Sequence, residues 1–263
     1  MRLGSSLLAD FCICLGFFTC LPCPLAPNGS DAVTLAGFSR AIRMLPVAGA
    51  LLGALAAAVM AGAEALGLPS FIAAPLAIGT LVVLSGGMHE DGLADCADGF
   101  FGGETTTQKL EIMRDGRIGT FGAVALMISL YLRAASLALV AGKSLGVASA
   151  VVIGGAALSR SGLLLPLVLL KPARQSGAGF AAGKPARDAF AVAIFLATLI
   201  ALAPVLMGAN WLKALLGIGL ASGSAYAMAV LAKHEIGGQT GDVAGAAQQL
   251  AEIAYYLALA ARI

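Results

Sequence analysis

A chain of 263 residues that is 59% hydrophobic and 11% charged, with a mean hydropathy of +0.93, lies far from soluble domains, in which about a quarter of residues are charged. This excludes an ordinary water-soluble enzyme and points to an all-α polytopic membrane protein, because a helical bundle in lipid can present Leu, Ala and Val outward on every side. A net charge of +2 with no basic tract or basic-aromatic stripe excludes a nucleic-acid partner.

In chain order, the segment 5 to 25 is apolar but carries Asp10 and the prolines of "LPCPLAP", and is expected to be a half-helix or re-entrant element rather than a span. Only Arg2 stands before it and no small-x-small cleavage site follows, so it reads as a retained segment and not a signal peptide. The cysteines, Cys12, Cys14, Cys20, Cys23 and Cys96, are odd in number, which argues against a disulfide framework. "CLPC" has CxxC spacing but apolar neighbours and no second pair, so these are expected to be small core residues rather than a redox or zinc site.

Apolar windows of about 20 residues, the length of a span, fall near 44 to 66, 70 to 88, 120 to 141, 146 to 170, 188 to 208, 211 to 232 and 243 to 262. About seven transmembrane helices in one membrane-embedded catalytic domain, 1 to 263, are therefore expected. Seven spans would put the segment before 44 and the loops 89 to 119, 171 to 187 and 233 to 242 on one side, with eleven cations: Arg2, Arg40, Arg43, Lys109, Arg114, Arg117, Lys171, Arg174, Lys184, Arg187 and Lys233. The other side has three, Lys143, Lys213 and Arg262. By the positive-inside rule the first side is cytoplasmic, and Trp211 then sits at the opposite interface.

The polar motifs all fall on that cytoplasmic side. "GGMHEDGLADCADGFFGG", 86 to 103, places Glu90, Asp91, Asp95 and Asp98 within nine positions. In a helix, Asp91, Asp95 and Asp98 stack on one face at i, i+4 and i+7. Like charges so placed repel unless a cation lies between them, and hard oxygen ligands at this spacing suit Mg²⁺ shared with substrate phosphates. The competing reading is a solvated acidic helix face, against which stand the many glycines, poor in exposed helices but permitting close approach of backbone to ligand.

Next, "KLEIMRDGRIGTFG" supplies Lys109, Arg114 and Arg117, cations that can clamp phosphate oxygens or simply pair with Glu111 and Asp115 at the membrane edge. "KHEIGGQTGDVAGA" offers Gly237, Gly238, Thr240 and Asp242 at the mouth of the last window: backbone N–H groups for an anion and a further carboxylate for a metal, or only a capped loop. His89 and His234 fall inside these motifs, as a general base near neutral pH or as structural hydrogen-bonding groups. Arg133 and Arg160 lie within spans, where a charge is by default functional, the alternative being snorkelling or pairing with an acid at a cavity floor. "SRSG", 159 to 162, would then line that cavity.

"HEDGLADCADG", "KLEIMRDGRIGTFG", "ALSR" and "GGQTGDVAGA", in this order and supported by "FSRAIRMLPVAGALLG", resemble the cobalamin synthase family, the adenosylcobinamide-GDP ribazoletransferases of cobalamin biosynthesis. The resemblance runs from about residue 11 to about residue 258. It departs at "TCLPCP", where the family usually has Thr-Arg-Leu-Pro and this chain has Cys20; the arginine is either dispensable or supplied by Arg40 or Arg43. The resemblance implies a Mg²⁺-dependent transferase in a bacterial inner membrane, joining adenosylcobinamide-GDP to α-ribazole or its 5'-phosphate with release of GMP. On that reading Asp91, Asp95 and Asp98, with Glu90 and Asp242, hold Mg²⁺. Arg114, Arg117 and Lys109 would stabilise charge on the leaving GMP, His89 would take the ribose 3'-OH proton, and Gly237, Gly238, Thr240 and Arg160 would contact substrate. Membrane lipid is the expected surroundings, and self-association into a homo-oligomer is left open. Two rivals are another membrane phosphotransferase or prenyltransferase acting on a metal-bound diphosphate, and a transporter. The transporter would need internal repeats, which the two halves do not display.

Overall fold

The computed structural model describes residues 3–23, 35–177, 179–180 and 183–262; Pro24 and Pro27 of the N-terminal proline run lie outside them. The described residues are helical, joined by short turns, with one isolated parallel bridge between Pro172 and Gln239.

The chain opens with α1 (Leu3–Phe18), α2 (Leu35–Ala41), a 3₁₀ turn (Ile42–Met44) and α3 (Leu45–Ala65). At 16 residues α1 is shorter than a span. It packs on the α2 to α3 stretch, where its buried Asp10 meets Arg40 at 3.3 Å and Arg43 at 2.6 Å. This matches the half-helix expectation and gives the buried acid its counter-charge. The cysteine expectation needs correction: Cys12 and Cys23 are joined as a disulfide, while Cys14 and Cys96 are buried thiols and Cys20 is exposed. The reason is local, since the turn after α1 folds back and returns Cys23 to the helix.

There follow α4 (Ser70–Leu84), α5 (Met88–Gly102), α6 (Thr106–Ile112), α7 (Thr120–Ala141), α8 (Leu145–Gly162) and α9 (Leu164–Leu169). The chain closes with α10 (Arg187–Ala201), α11 (Ala203–Leu206), α12 (Trp211–Ile236) and α13 (Gly241–Ala260). Five helical stretches are long and apolar enough to cross a membrane: Gly37–Ala65, Thr120–Ala141, Leu145–Leu169, Arg187–Leu206 and Trp211–Ile236. The bent pair α4 and α5 would make six. The protein is thus an all-α polytopic membrane protein, with two of the seven expected windows different in kind. The window 70 to 88 stops at Leu84, because Gly86 and Gly87 follow in left-handed conformation, φ 65° and 68°. The window 243 to 262 is helical, but its face with Gln248, Gln249 and Glu252 is too polar for lipid.

That polar face explains the packing. α13 is wrapped by α12, α5, α8 and α7 and is buried along most of its length, so its amides and carboxylate meet protein rather than lipid. Outward surfaces are apolar, with Phe71, Tyr131, Phe195, Leu199 and Leu220 exposed, as a lipid-facing belt requires. α3 and α8 approach through small residues: a Cβ on Gly53 would stand 2.6 Å from Ile153 Cα, and one on Gly49 2.8 Å from Arg160 Cδ.

Candidate active site

The turn at Gly86 and Gly87 swings α5 through 89° relative to α4. This helix then packs on the start of α7 and the start of α13. There α5 lies on the start of α13 with no side chain between them. A Cβ on Gly92 would be 2.7 Å from Asp242 O, and one on Gly245 3.2 Å from His89 Cα. Two glycines therefore let the helices touch, and the contact sets Asp91 and Asp95 beside Asp242.

Asp242 sits in the first turn of α13 behind an N-cap. Thr240 Oγ1 accepts from Val243 N–H at 3.3 Å and donates to Asp242 Oδ2 at 3.1 Å. Arg174, from the segment after α9, donates to the same oxygen from Nη2 at 3.1 Å. Around Asp95, which is half-buried, negative charge is in surplus. Burial first, then Asp91, Asp242 and Asp98, push its carboxyl up to about 7, with Arg174 opposing. Asp242 is also raised by burial, against the pull of Arg174 and the Thr240 hydrogen bond.

Beside this acidic corner is a cavity of about 100 Å³. One wall is apolar, with Phe17 and Phe18 of α1 and Leu163 and Leu167. The other carries His89, Asp91 and Asp242, with backbone from Gly241 and Gly245. His89 is 3% exposed and its Nε2 has no hydrogen-bond partner. Burial first, then the positive charges of Arg160 and Arg133, hold its imidazole neutral.

The remaining expected residues have other neighbours. Asp98 accepts from the N–H groups of Gly119 at 2.7 Å and Gly122 at 2.8 Å, capping α7 with a negative charge at its positive end. Glu90 points into the bundle, where it pairs with Arg133 at 3.0 Å and accepts from Gln249 Nε2 at 3.0 Å. Lys109 pairs with Glu235, tying α6 to α12. Arg114 reaches Ser176 Oγ at 2.5 Å and Arg117 pairs with Asp115, both at the exposed surface. Arg160 is fully buried and donates from Nη1 to Ala156 O at 3.0 Å, its Nε unpartnered. Gly237 ends α12 in left-handed conformation, φ 72°. Gly238 lies against the segment after α9: a Cβ there would be 2.8 Å from Ala173 N. His234 is at the surface, against Glu235 at 2.9 Å.

Below the corner is a second polar layer that sequence reading saw only in part. Gln248 Nε2 donates to Glu252 at 2.6 Å and Ser159 Oγ at 2.9 Å, Tyr256 OH donates to Glu252 at 2.9 Å, and Arg133 lies 4.0 Å from Glu252. Ser129 Oγ donates to Gln249 Oε1 at 2.9 Å. Arg133 thus has the acid partners that the structural alternative for it supposed. Glu252 could have been found from sequence by the same signal that marked Arg133 and Arg160, a charge within an apolar window. Arg174 had no such signal beyond its sign.

Among the described residues no three of His, Cys, Asp and Glu are grouped closely enough to cage a metal by themselves. Mg²⁺ needs no such cage, since it is held by one or two carboxylates together with substrate phosphates. The surplus negative charge on Asp91, Asp95 and Asp242 fits that mode of binding.

A family model described as Cobalamin-5-phosphate synthase matches residues 10–260. The adenosylcobinamide-GDP ribazoletransferase of Azorhizobium caulinodans is 46% identical over 257 residues, 96% of each chain. Proteins of the same name from Xanthobacter autotrophicus and Bradyrhizobium diazoefficiens are 41% identical over 249 residues (94% of each chain) and 40% over 256 (97% of this chain, 95% of the relative). No solved structure matches. With residues 10–260 matched and the acidic α5 helix, the Gly-rich turn and the membrane bundle inside that stretch, the chain belongs to the cobalamin-5-phosphate synthase family.

Proposed function

We propose that the chain transfers the cobinamide phosphate of adenosylcobinamide-GDP to a ribose hydroxyl of α-ribazole or its 5'-phosphate, in a bacterial cytoplasmic membrane, at a Mg²⁺-dependent site facing the cytoplasm. The observation that carries this is the convergence of Asp91, Asp95 and Asp242 with Arg174 beside a cavity that has one apolar and one polar wall. The oxygen of the ribose 3'-OH forms the new bond to phosphorus, the phosphoanhydride to GMP breaks, and the hydroxyl proton passes to a base. Such a reaction needs positioning and charge neutralisation more than covalent help.

Asp91, Asp95 and Asp242 are the proposed ligands of Mg²⁺, which when bound neutralises charge on the diphosphate. Arg114 and Arg117, held only by surface contacts to Ser176 and Asp115, are available to oxygens of the departing GMP, because solvent weakens exposed contacts of this kind. The apolar wall of Phe17, Phe18, Leu163 and Leu167 suits an uncharged ring system held with its hydroxyls toward Asp91 and His89. We assign the proton to His89 Nε2, which lacks a partner. Burial, and after it the field of Arg160 and Arg133, keeps the ring neutral, and an arriving diphosphate offsets that field when the proton moves. Three loops of the eleven-cation side meet here, through Arg174–Asp242, Arg114–Ser176 and Lys109–Glu235, which supports the cytoplasmic orientation.

The test is GMP release by purified protein in detergent. The expected result is release that needs adenosylcobinamide-GDP, α-ribazole and Mg²⁺ together. Release from a folded protein without α-ribazole, or none with all three, would contradict the assignment.

A further inference from the structure

Arg174 belongs to none of the sequence motifs, yet the fold places it with care. The segment carrying it is laid on the Gly-rich turn by two backbone hydrogen bonds, Ala173 N–H to Gln239 O at 2.8 Å and Gln239 N–H to Lys171 O at 2.9 Å. The approach is so close that only glycine fits at position 238. On its other side, Gly177, at φ 89°, brings the chain back against the guanidinium, so that a Cβ there would stand 3.4 Å from Arg174 Nε. The guanidinium is mostly buried, with 16% of the side chain exposed, and so is the Asp242 carboxylate it meets, with 19%. Only Nη2 is used on Asp242; Nη1 is buried without a hydrogen-bond partner.

A buried guanidinium nitrogen with nothing to donate to is costly in a finished structural ion pair. It suits a group that has a second partner to meet.

We propose that Arg174 is the built-in counter-cation of the acidic corner: it offsets the carboxylate charge in the substrate-free protein and turns its free Nη1 to the diphosphate when substrate and divalent cation arrive. This rests on the reading that the corner binds a divalent cation with a diphosphate. A guanidinium can make the exchange because its fork serves carboxylate and phosphate oxygens alike. The consequence has a sign that a merely structural role would not produce. Removing Arg174 should make the substrate-free corner a better cation site, not a worse one, while weakening the link between cation and diphosphate.

The experiment is titration of purified wild type, Arg174→Gln and Arg174→Lys with Mn²⁺, followed by the loss of the free-ion EPR signal, with and without GDP as the diphosphate probe. We expect Arg174→Gln to bind Mn²⁺ about tenfold more tightly than wild type when no nucleotide is present, the size of effect a neighbouring charge has on a carboxylate. GDP should tighten Mn²⁺ binding in wild type and in Arg174→Lys, and much less in Arg174→Gln. Equal or weaker Mn²⁺ binding by a folded Arg174→Gln, with metal-dependent GMP release intact in wild type, would overturn the role of Arg174 alone. Failure of every variant to bind Mn²⁺, with GMP release independent of metal, would overturn the cation reading and this proposal with it.

Discussion

Two carboxylate clusters lie within one helical turn of each other on α5, and they are opposite in character. Glu90 faces inward, where Arg133, Gln249, Gln248, Glu252 and Tyr256 are linked in a buried polar layer that carries its own counter-charges. Asp91, the next residue, faces the acidic corner, where Asp95 and Asp242 share a single nearby guanidinium among the described residues. The inner cluster is neutralised by its own protein and holds helices together. The outer one has more negative charge than the fold compensates, which is the signature of a site built for something that comes and goes.

The comparison breaks most visibly if the inner layer is disturbed. Arg133→Leu removes the guanidinium paired with buried Glu90 and should cost about 3–5 kcal/mol, measured as loss of folded protein on thermal unfolding in detergent. The double variant with Glu90→Gln should recover part of it. Asp242→Asn, by contrast, should lower GMP release about 100-fold or more and cost less thermal stability than Arg133→Leu, since the amide oxygen can still accept from Arg174. Gly92→Val drives a side chain into the Asp242 backbone, and its overpacking should cost about 1–3 kcal/mol, with GMP release falling further than stability accounts for.

A pH series sharpens the contrast. The folded protein holds the Asp95 proton up to about 7 against 3.8 for the free carboxyl. Without a divalent cation, that site's contribution makes stability fall as pH rises from 3.8 through about 7. Asp95→Asn should remove this part of the slope, and Mg²⁺ should shift it to lower pH. The smallest effect is expected at Arg117, exposed with Asp115 at the surface: Arg117→Ala should raise KM for adenosylcobinamide-GDP without altering the melting temperature.

Much of this organisation was legible in the sequence, because lipid restricts spanning segments to long apolar helices. The windows failed where an average hides a pattern: 243 to 262 is apolar overall, yet its stripe of Gln248, Gln249 and Glu252 needs burial by neighbouring helices. The spacing of Asp91, Asp95 and Asp98 located the acidic helix. Spacing on one helix does not say what surrounds it, so Asp98 turned out to serve the start of α7 and Glu90, about 100° around the helix from Asp91, to serve the bundle interior. Arg174 reaches Asp242 through backbone pairing with a turn 65 residues later, and no local pattern carries that information.

The central claim is that the outer cluster works by its surplus charge and the inner by the charge balance of its own ion pairs. Its most direct test pairs GMP release with thermal unfolding for Asp95→Asn, measured in Mg²⁺ at neutral pH. We predict release reduced about 100-fold in a protein whose melting temperature is unchanged or raised. Release at the wild-type rate, or a melting temperature that falls in step with activity, would contradict the account.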